Sequence, residues 1–146
     1  MSTAPEQAQV TKISINPVKE RLTTLIAKPM KLVGDILGPE GVMVRGEVQG
    51  DIIVSDDGPP GTGVVYVVAG GRTTGLIASR RVVVGGEHNG PVIARGVLQV
   101  TETGVVNGDV YCVEIDEGSM TRVRGEVHRI RPGEDPIGEV QARRYA

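Results

Sequence analysis

The imidazoles and the thiol of this 146-residue chain, the groups best suited to base or nucleophile chemistry near neutral pH, are His88, His128 and Cys112, its complete stock of His and Cys. His88 sits two residues before Gly90, a place that Val48, Val106 and Val123 hold before Gly50, Gly108 and Gly125. A general base must reach its substrate, and a position otherwise filled by valine reads as core. His128 stands alone in the sequence, and Cys112 falls among small residues, as a buried structural thiol does. Asp35, Asp51 and Asp109 each follow a glycine, which reads as turn chemistry. A calcium ladder would need denser Gly-Gly-x-Gly-x-Asp repeats. The run Ala69-Gly70-Gly71-Arg72-Thr73-Thr74-Gly75 has neither the spacing nor the Lys-Ser/Thr of a phosphate loop. Arg80-Arg81 reads as a solvated pair. These residues give no catalytic constellation, no metal site and no cofactor site.

The elements that would have to position such groups are far more regular. Six times a glycine is followed two residues later by Ile or Val: Gly34/Ile36, Gly50/Ile52, Gly75/Ile77, Gly90/Val92, Gly108/Val110 and Gly125/Val127. The steps are 16, 25, 15, 18 and 17 residues. Four residues after each glycine stand Gly38, Val54, Ser79, Ala94, Cys112 and Arg129, small or apolar in all but the last. Between them lies a mixed column of Leu37, Ile53, Ala78, Ile93, Tyr111 and His128. Alternate residues of a strand face opposite sides, so the first two columns should point inward and the mixed one outward. A second apolar cluster recurs as Val42/Val44, Val65/Val67, Val82/Val84, Leu98/Val100 and Val113/Ile115.

Short β-branched runs between turn signals predict an all-β fold. Their repetition predicts a parallel β-helix, a solenoid of about six coils. Stacked at ~4.8 Å, the coils would make a rod on the order of 30 Å long. With 21 Gly, no Trp, no Phe and three Tyr, the chain can fill only a thin aliphatic core. The 25-residue step holds Ser55-Asp56-Asp57-Gly58-Pro59-Pro60-Gly61-Thr62-Gly63, which reads as a protruding insertion.

Three segments follow from this pattern: an N-terminal extension over 1–33, a repeat body over 34–130 and a flexible polar tail over 131–146. In the extension, Val18, Leu22, Leu25 and Ile26 fall at helical spacing. They predict a short amphipathic helix over 18–28 that either caps the first coil or meets a membrane surface or a protein partner. Val10, Ile13 and Ile15 suit a short strand. Residues 34 to 127 hold 13 acidic and 7 basic residues. An acidic body whose only aromatics are Tyr66 and Tyr111 is a poor binder of nucleic acid, which is not expected as a partner. The first residues do not read as a signal peptide, no 18-residue apolar run appears, and a single Cys suits the cytoplasm.

The segments Val48-Gln49-Gly50-Asp51-Ile52, Val82-Val83-Val84-Gly85-Gly86 with Gly90-Pro91-Val92-Ile93-Ala94, and Val106-Asn107-Gly108-Asp109-Val110 resemble bactofilins, bacterial polymer-forming cytoskeletal proteins. The resemblance covers about residues 34–130. It implies a right-handed parallel β-helix with disordered termini, end-to-end filaments formed without nucleotide, and a cytoplasmic, non-enzymatic scaffold for cell-shape or polarity factors, often membrane-associated through its N-terminus. The chain departs from the family in having no Phe, in its longer extension and in the 55–63 insertion.

Physical chemistry also points to self-assembly. A terminal coil exposes unpaired backbone groups and an unstacked apolar column, and a docking that does not close on itself makes a filament. The expected interface residues are Leu32, Val33, Ile36, Leu37 and Val42 at one end, and Val123, Val127 and Ile130 at the other. Two alternatives remain. One is a non-polymerising adaptor. The other is a left-handed β-helix acyltransferase using His88, whose six-residue periodicity the steps of 15, 16 and 17 fit badly.

Overall fold

In the computed structural model, residues 22–38, 41–54 and 63–145 are described. These residues hold fourteen strands, β1 (Leu22–Ile26), β2 (Lys31–Val33), β3 (Ile36–Gly38), β4 (Gly41–Val44), β5 (Glu47–Gln49), β6 (Ile52–Val54), β7 (Val64–Val67), β8 (Arg72–Thr74), β9 (Ile77–Val84), β10 (Glu87–Asn89), β11 (Val92–Val100), β12 (Val105–Asn107), β13 (Val110–Ile115) and β14 (Val127–Arg129), and two helices, α1 (Glu117–Met120) and α2 (Ile137–Tyr145). Every pairing between strands is parallel.

The strands make a β-solenoid of about six turns with three faces. The first face stacks β1, β4, β7 and the second halves of β9, β11 and β13. The second stacks β2, β5, β8, β10 and β12, extended to a sixth rung by Val123 beside Val106. The third stacks β3, β6, the first halves of β9, β11 and β13, and then β14. The long strands β9, β11 and β13 turn the corner between the third and first faces without a loop. This is visible where β9 pairs with β6 through Ile77 and Ala78 and with β7 through 81–84. β6 and β7 therefore keep register on either side of the insertion, whose residues 55–62 lie outside the described ones.

The repeat columns stack as the sequence predicts. Ile36, Ile52, Ile77, Val92, Val110 and Val127 form one continuous inward ladder. Val42, Val65, Val82, Leu98 and Ile115 form a second. Each fully buried Val or Ile contributes roughly 1.5–3 kcal/mol. The core is thin enough for aliphatic side chains alone to close it.

The glycine column has a steric cause. A Cβ at Gly90 would overlap the Gly75 carbonyl oxygen, and one at Gly75 the Gly50 carbonyl. The aspartates that follow these glycines bond from one coil to the next rather than within their own turn. Asp35 Oδ1 accepts the Asp51 N–H at 2.8 Å, Asp51 Oδ1 that of Leu76 at 3.0 Å, and Asp109 Oδ1 that of Glu126 at 3.0 Å. Leu76 has no acceptor to offer the next coil, and the residue stacked there is Pro91, which has no N–H to satisfy. Asp51→Ala should therefore cost about 1–3 kcal/mol by stranding the Leu76 N–H in a buried corner. Asp51→Asn should recover most of that loss in denaturant unfolding.

Two terminal segments differ from expectation. Residues 22–26 form strand β1, not turns of a helix, and Val18 lies outside the described residues, as do Val10, Ile13 and Ile15. Leu25 is exposed while the adjacent Ile26 is buried, the alternation of a strand. The open edge of β4 offers Leu22–Ile26 a ladder of backbone partners, which outweighs the weak propensity of a short helix. Among the described residues the solenoid thus begins at Leu22 instead of Gly34. Residues 131–146, expected as a flexible tail, carry α2, whose Val140 is buried against the outer wall.

Candidate functional site: the two ends of the solenoid

The N-terminal tip is built by β1, β2 and β3. Leu32 and Ile36 head the inward columns of the second and third faces and are only partly buried, resting on the core beneath them. Among the described residues no coil lies above: a Cβ at Gly34 would meet nothing within 4 Å. Of the five exposed large apolar side chains among the described residues, four belong to this first coil: Leu25 at 56%, Met30 at 59%, Val33 at 71% and Leu37 at 70%. Val33 and Leu37 point outward from the wall, alternating with Leu32 and Ile36. Val42 lies one coil deeper, stacked between Thr24 and Val65 and 1% exposed, so it is not part of the tip surface.

At the C-terminal tip, Val123 and Val127 end the inward columns of the second and third faces, again partly buried against the core. Ile130 follows, its N–H bonded to the Cys112 carbonyl at 2.9 Å. The first face is closed differently. Beyond Ile115 the chain turns into α1, capped by Asp116, whose carboxylate accepts the Ser119 N–H at 2.8 Å. The buried Ser119 hydroxyl accepts the Val100 N–H at 2.8 Å, a donor that a further strand would otherwise have satisfied. One side of this tip is thus capped, and the other two end on apolar residues.

The side chains singled out for chemistry are placed against catalysis. His88 is 0% exposed and stacks between Thr73 and Val106 in the column that also holds Val48. Its Nε2 lies 3.2 Å from the Pro91 carbonyl, which can only accept, so Nε2 carries the proton. Nδ1 then accepts from the Thr73 hydroxyl at 2.6 Å. Burial lowers the His88 pKa to about 4. Thr73 sits two residues before Gly75 as His88 does before Gly90, a polar pair at adjacent rungs that the repeat alignment could have shown. The Cys112 side chain is buried, which pushes its thiol pKa up. In the 69–75 run, the Gly71 N–H bonds Val68 and the Arg72 N–H bonds Gly46, so neither is free to hold a phosphate.

His128 stacks on Tyr111, ring centroids 4.7 Å apart and 12° from parallel. Asp109, Glu126 and His128 bring their ligand atoms within 4.8 Å of one another. Glu126 and His128 lie two residues apart on one rung and Asp109 on the rung beside it, so only the approach of Asp109 is hidden in the linear sequence. Asp109 already accepts the Glu126 N–H, and His128 Nε2 lies 3.5 Å from Glu126, so the three groups are engaged with one another at the surface.

The neutral state of His88 has a measurable consequence. Its folded pKa lies below its unfolded value of about 6.5, so the unfolded chain binds the extra proton between those two values. Stability is then complete above about pH 6.5 and falls as the pH drops toward about 4, by on the order of 3 kcal/mol. The double variant Thr73→Val/His88→Val should flatten this part of the stability–pH curve measured by urea unfolding. An unchanged slope would remove His88 as its source.

A rod of parallel coils whose inward columns run out at both tips, with its possible catalytic groups buried or paired, defines a structural solenoid. Residues 24–128, more than two-thirds of the chain, match the family model Bactofilin, described as polymer-forming cytoskeletal. The chain belongs to the bactofilin family. No curated protein and no solved structure matches it. No helix among the described residues is long and apolar enough to cross a membrane.

Proposed function

We propose that the chain is a cytoplasmic scaffold subunit, without enzymatic activity, that stacks end to end into nucleotide-independent filaments and positions cell-shape or polarity factors on them. The observation that carries this reading is the pair of unfinished tips. Leu32 and Ile36 at one end, and Val123 and Val127 at the other, each cover the core on one side only. The exposed apolar side chains crowd the first coil. Docking of a second tip would bury these side chains and satisfy the backbone groups of the terminal strands. The right-handed winding that the family implies belongs to the same reading. Attachment to a membrane surface or to a protein partner falls in this reading to residues 1–21, because Leu22–Ile26 is engaged as a strand.

Negative-stain microscopy of purified protein without nucleotide should show filaments, both for the full chain and after deletion of residues 1–21. A discrete small oligomer at every salt concentration would favour the adaptor reading instead. One observation supports that alternative: α1 and Ser119 already cap one side of the C-terminal tip.

A further inference from the structure

The outward column of the third face is apolar on five successive rungs, Leu37, Ile53, Ala78, Ile93 and Tyr111, before it ends at His128. The outward residues of the second face are of another kind. Lys31, Glu47, Arg72 and Glu87 stack there, with Arg72 and Glu87 3.5 Å apart, and Asn107 donates to Asn89 at 2.9 Å. One wall is made for water and the other for a cover.

The cover is α2. Ile137 and Val140 pack on Leu76, Ala78 and Ile93, flanked by Ile53 and Tyr111. Arg95 latches the approach, pairing with Asp135 at 3.4 Å and donating to the Val54 carbonyl. A helix of nine residues does not persist alone, so this contact is what forms it. The connection from β14 runs through exposed Arg131, Pro132, Gly133 and Glu134. The apolar column also outruns its cover, since Leu37, one rung beyond Ile53, is 70% exposed.

We propose that this wall is a helix-docking site that the C-terminal helix of a second copy occupies in exchange for the copy's own, joining copies side by side. The contacts made within one chain and between two are the same, which makes such a swap a low-cost route to association. The short tether gives the chain's own helix an effective concentration in the mM range. Exchange therefore competes where copies lie alongside one another at comparable density, as in bundled filaments, and to that extent the inference rests on the stacking proposed above.

The test uses two full-length variants labelled at their N-termini with donor and acceptor dyes. Val140→Lys disables the helix and leaves the wall intact; Ile93→Lys disables the wall and leaves the helix intact. Mixing them should restore docking between chains, giving energy transfer in excess of Val140→Lys mixed with itself and association about tenfold tighter than either variant shows alone. Tip-to-tip stacking contributes equally to both mixtures, so the excess is independent of it. Excess transfer without filaments would uphold the docking site and remove the stacking reading. Filaments with no excess transfer would overturn the docking site. Should circular dichroism show Ile93→Lys unfolded, Ile53→Lys at the half-buried edge of the same wall takes its place.

Discussion

Ile36→Arg or Val127→Arg leaves the monomer folded and abolishes filaments. Both residues end an inward column at a tip and are covered on one side only. In the monomer the arginine stem can lie along the end of the core while its guanidinium reaches water, so the cost to folding is small, about 1 kcal/mol. In a stacked pair the same charge would be sealed between two apolar columns with no partner. That costs several kcal/mol, and ~4 kcal/mol weakens association about a thousandfold. Circular dichroism and thermal unfolding should match the parent chain, while microscopy and sedimentation show monomers. Wild-type-like filaments from both variants would remove these tips as the interface. Val42→Arg is no substitute for either variant, because Val42 is buried one coil in and its replacement attacks the fold itself. Val33→Arg and Leu37→Arg, on the outer wall, should reduce assembly less than the two tip substitutions.

Gly90→Ala should be among the most damaging single-methyl changes in the rod. Gly90 has φ +136°, a region in which L side chains are strained, and the added Cβ would overlap the Gly75 carbonyl carbon and oxygen. Backbone atoms of the neighbouring coil cannot rotate away as a side chain would. The coils must separate locally, and the parallel ladder between them loosens with them. Strain and lost packing together should come to ~4 kcal/mol, which lowers the melting temperature by roughly 10–15 °C at this chain length. Gly34→Ala is the internal control. Its φ is +141°, but no atom lies within 4 Å of the added Cβ, so only the conformational cost of about 1–3 kcal/mol applies. Equal losses at the two sites would show that close approach between coils is not what fixes glycine in this column.

Much of this architecture could be read from the chain because a solenoid writes its contacts into its period. The residue beneath Ile52 is Ile77 and the one beneath Val92 is Val110, and each stands at the same offset from its glycine. The inward columns, the corner glycines and the buried Cys112 are consequences of that one periodicity. The partnership of His88 with Thr73 obeyed the same register and needed only the column two before each glycine to be read in full. The Asp35, Asp51 and Asp109 column was visible as turn residues, but the turn they serve belongs to the next coil, which a reading within each turn could not show.

Sequence and structure differ most where the repeat stops. Leu22, Leu25 and Ile26 fit a helix by spacing, yet Leu22–Ile26 became a strand because the neighbouring β4 supplied an edge. The polar run after Ile130 gave Val140 no apparent reason to be buried, until the wall of Ala78 and Ile93 supplied one.

The sequence by itself determined that aliphatic residues recur at a near-constant step with glycine at the corners, and hence that the chain winds into stacked parallel coils. Only the tertiary structure decided how the rod ends and what covers its sides. Interior contacts repeat and so leave a periodic trace. Each tip and each outer wall has one neighbour fewer, and what settles there depends on which surfaces the finished rod leaves open.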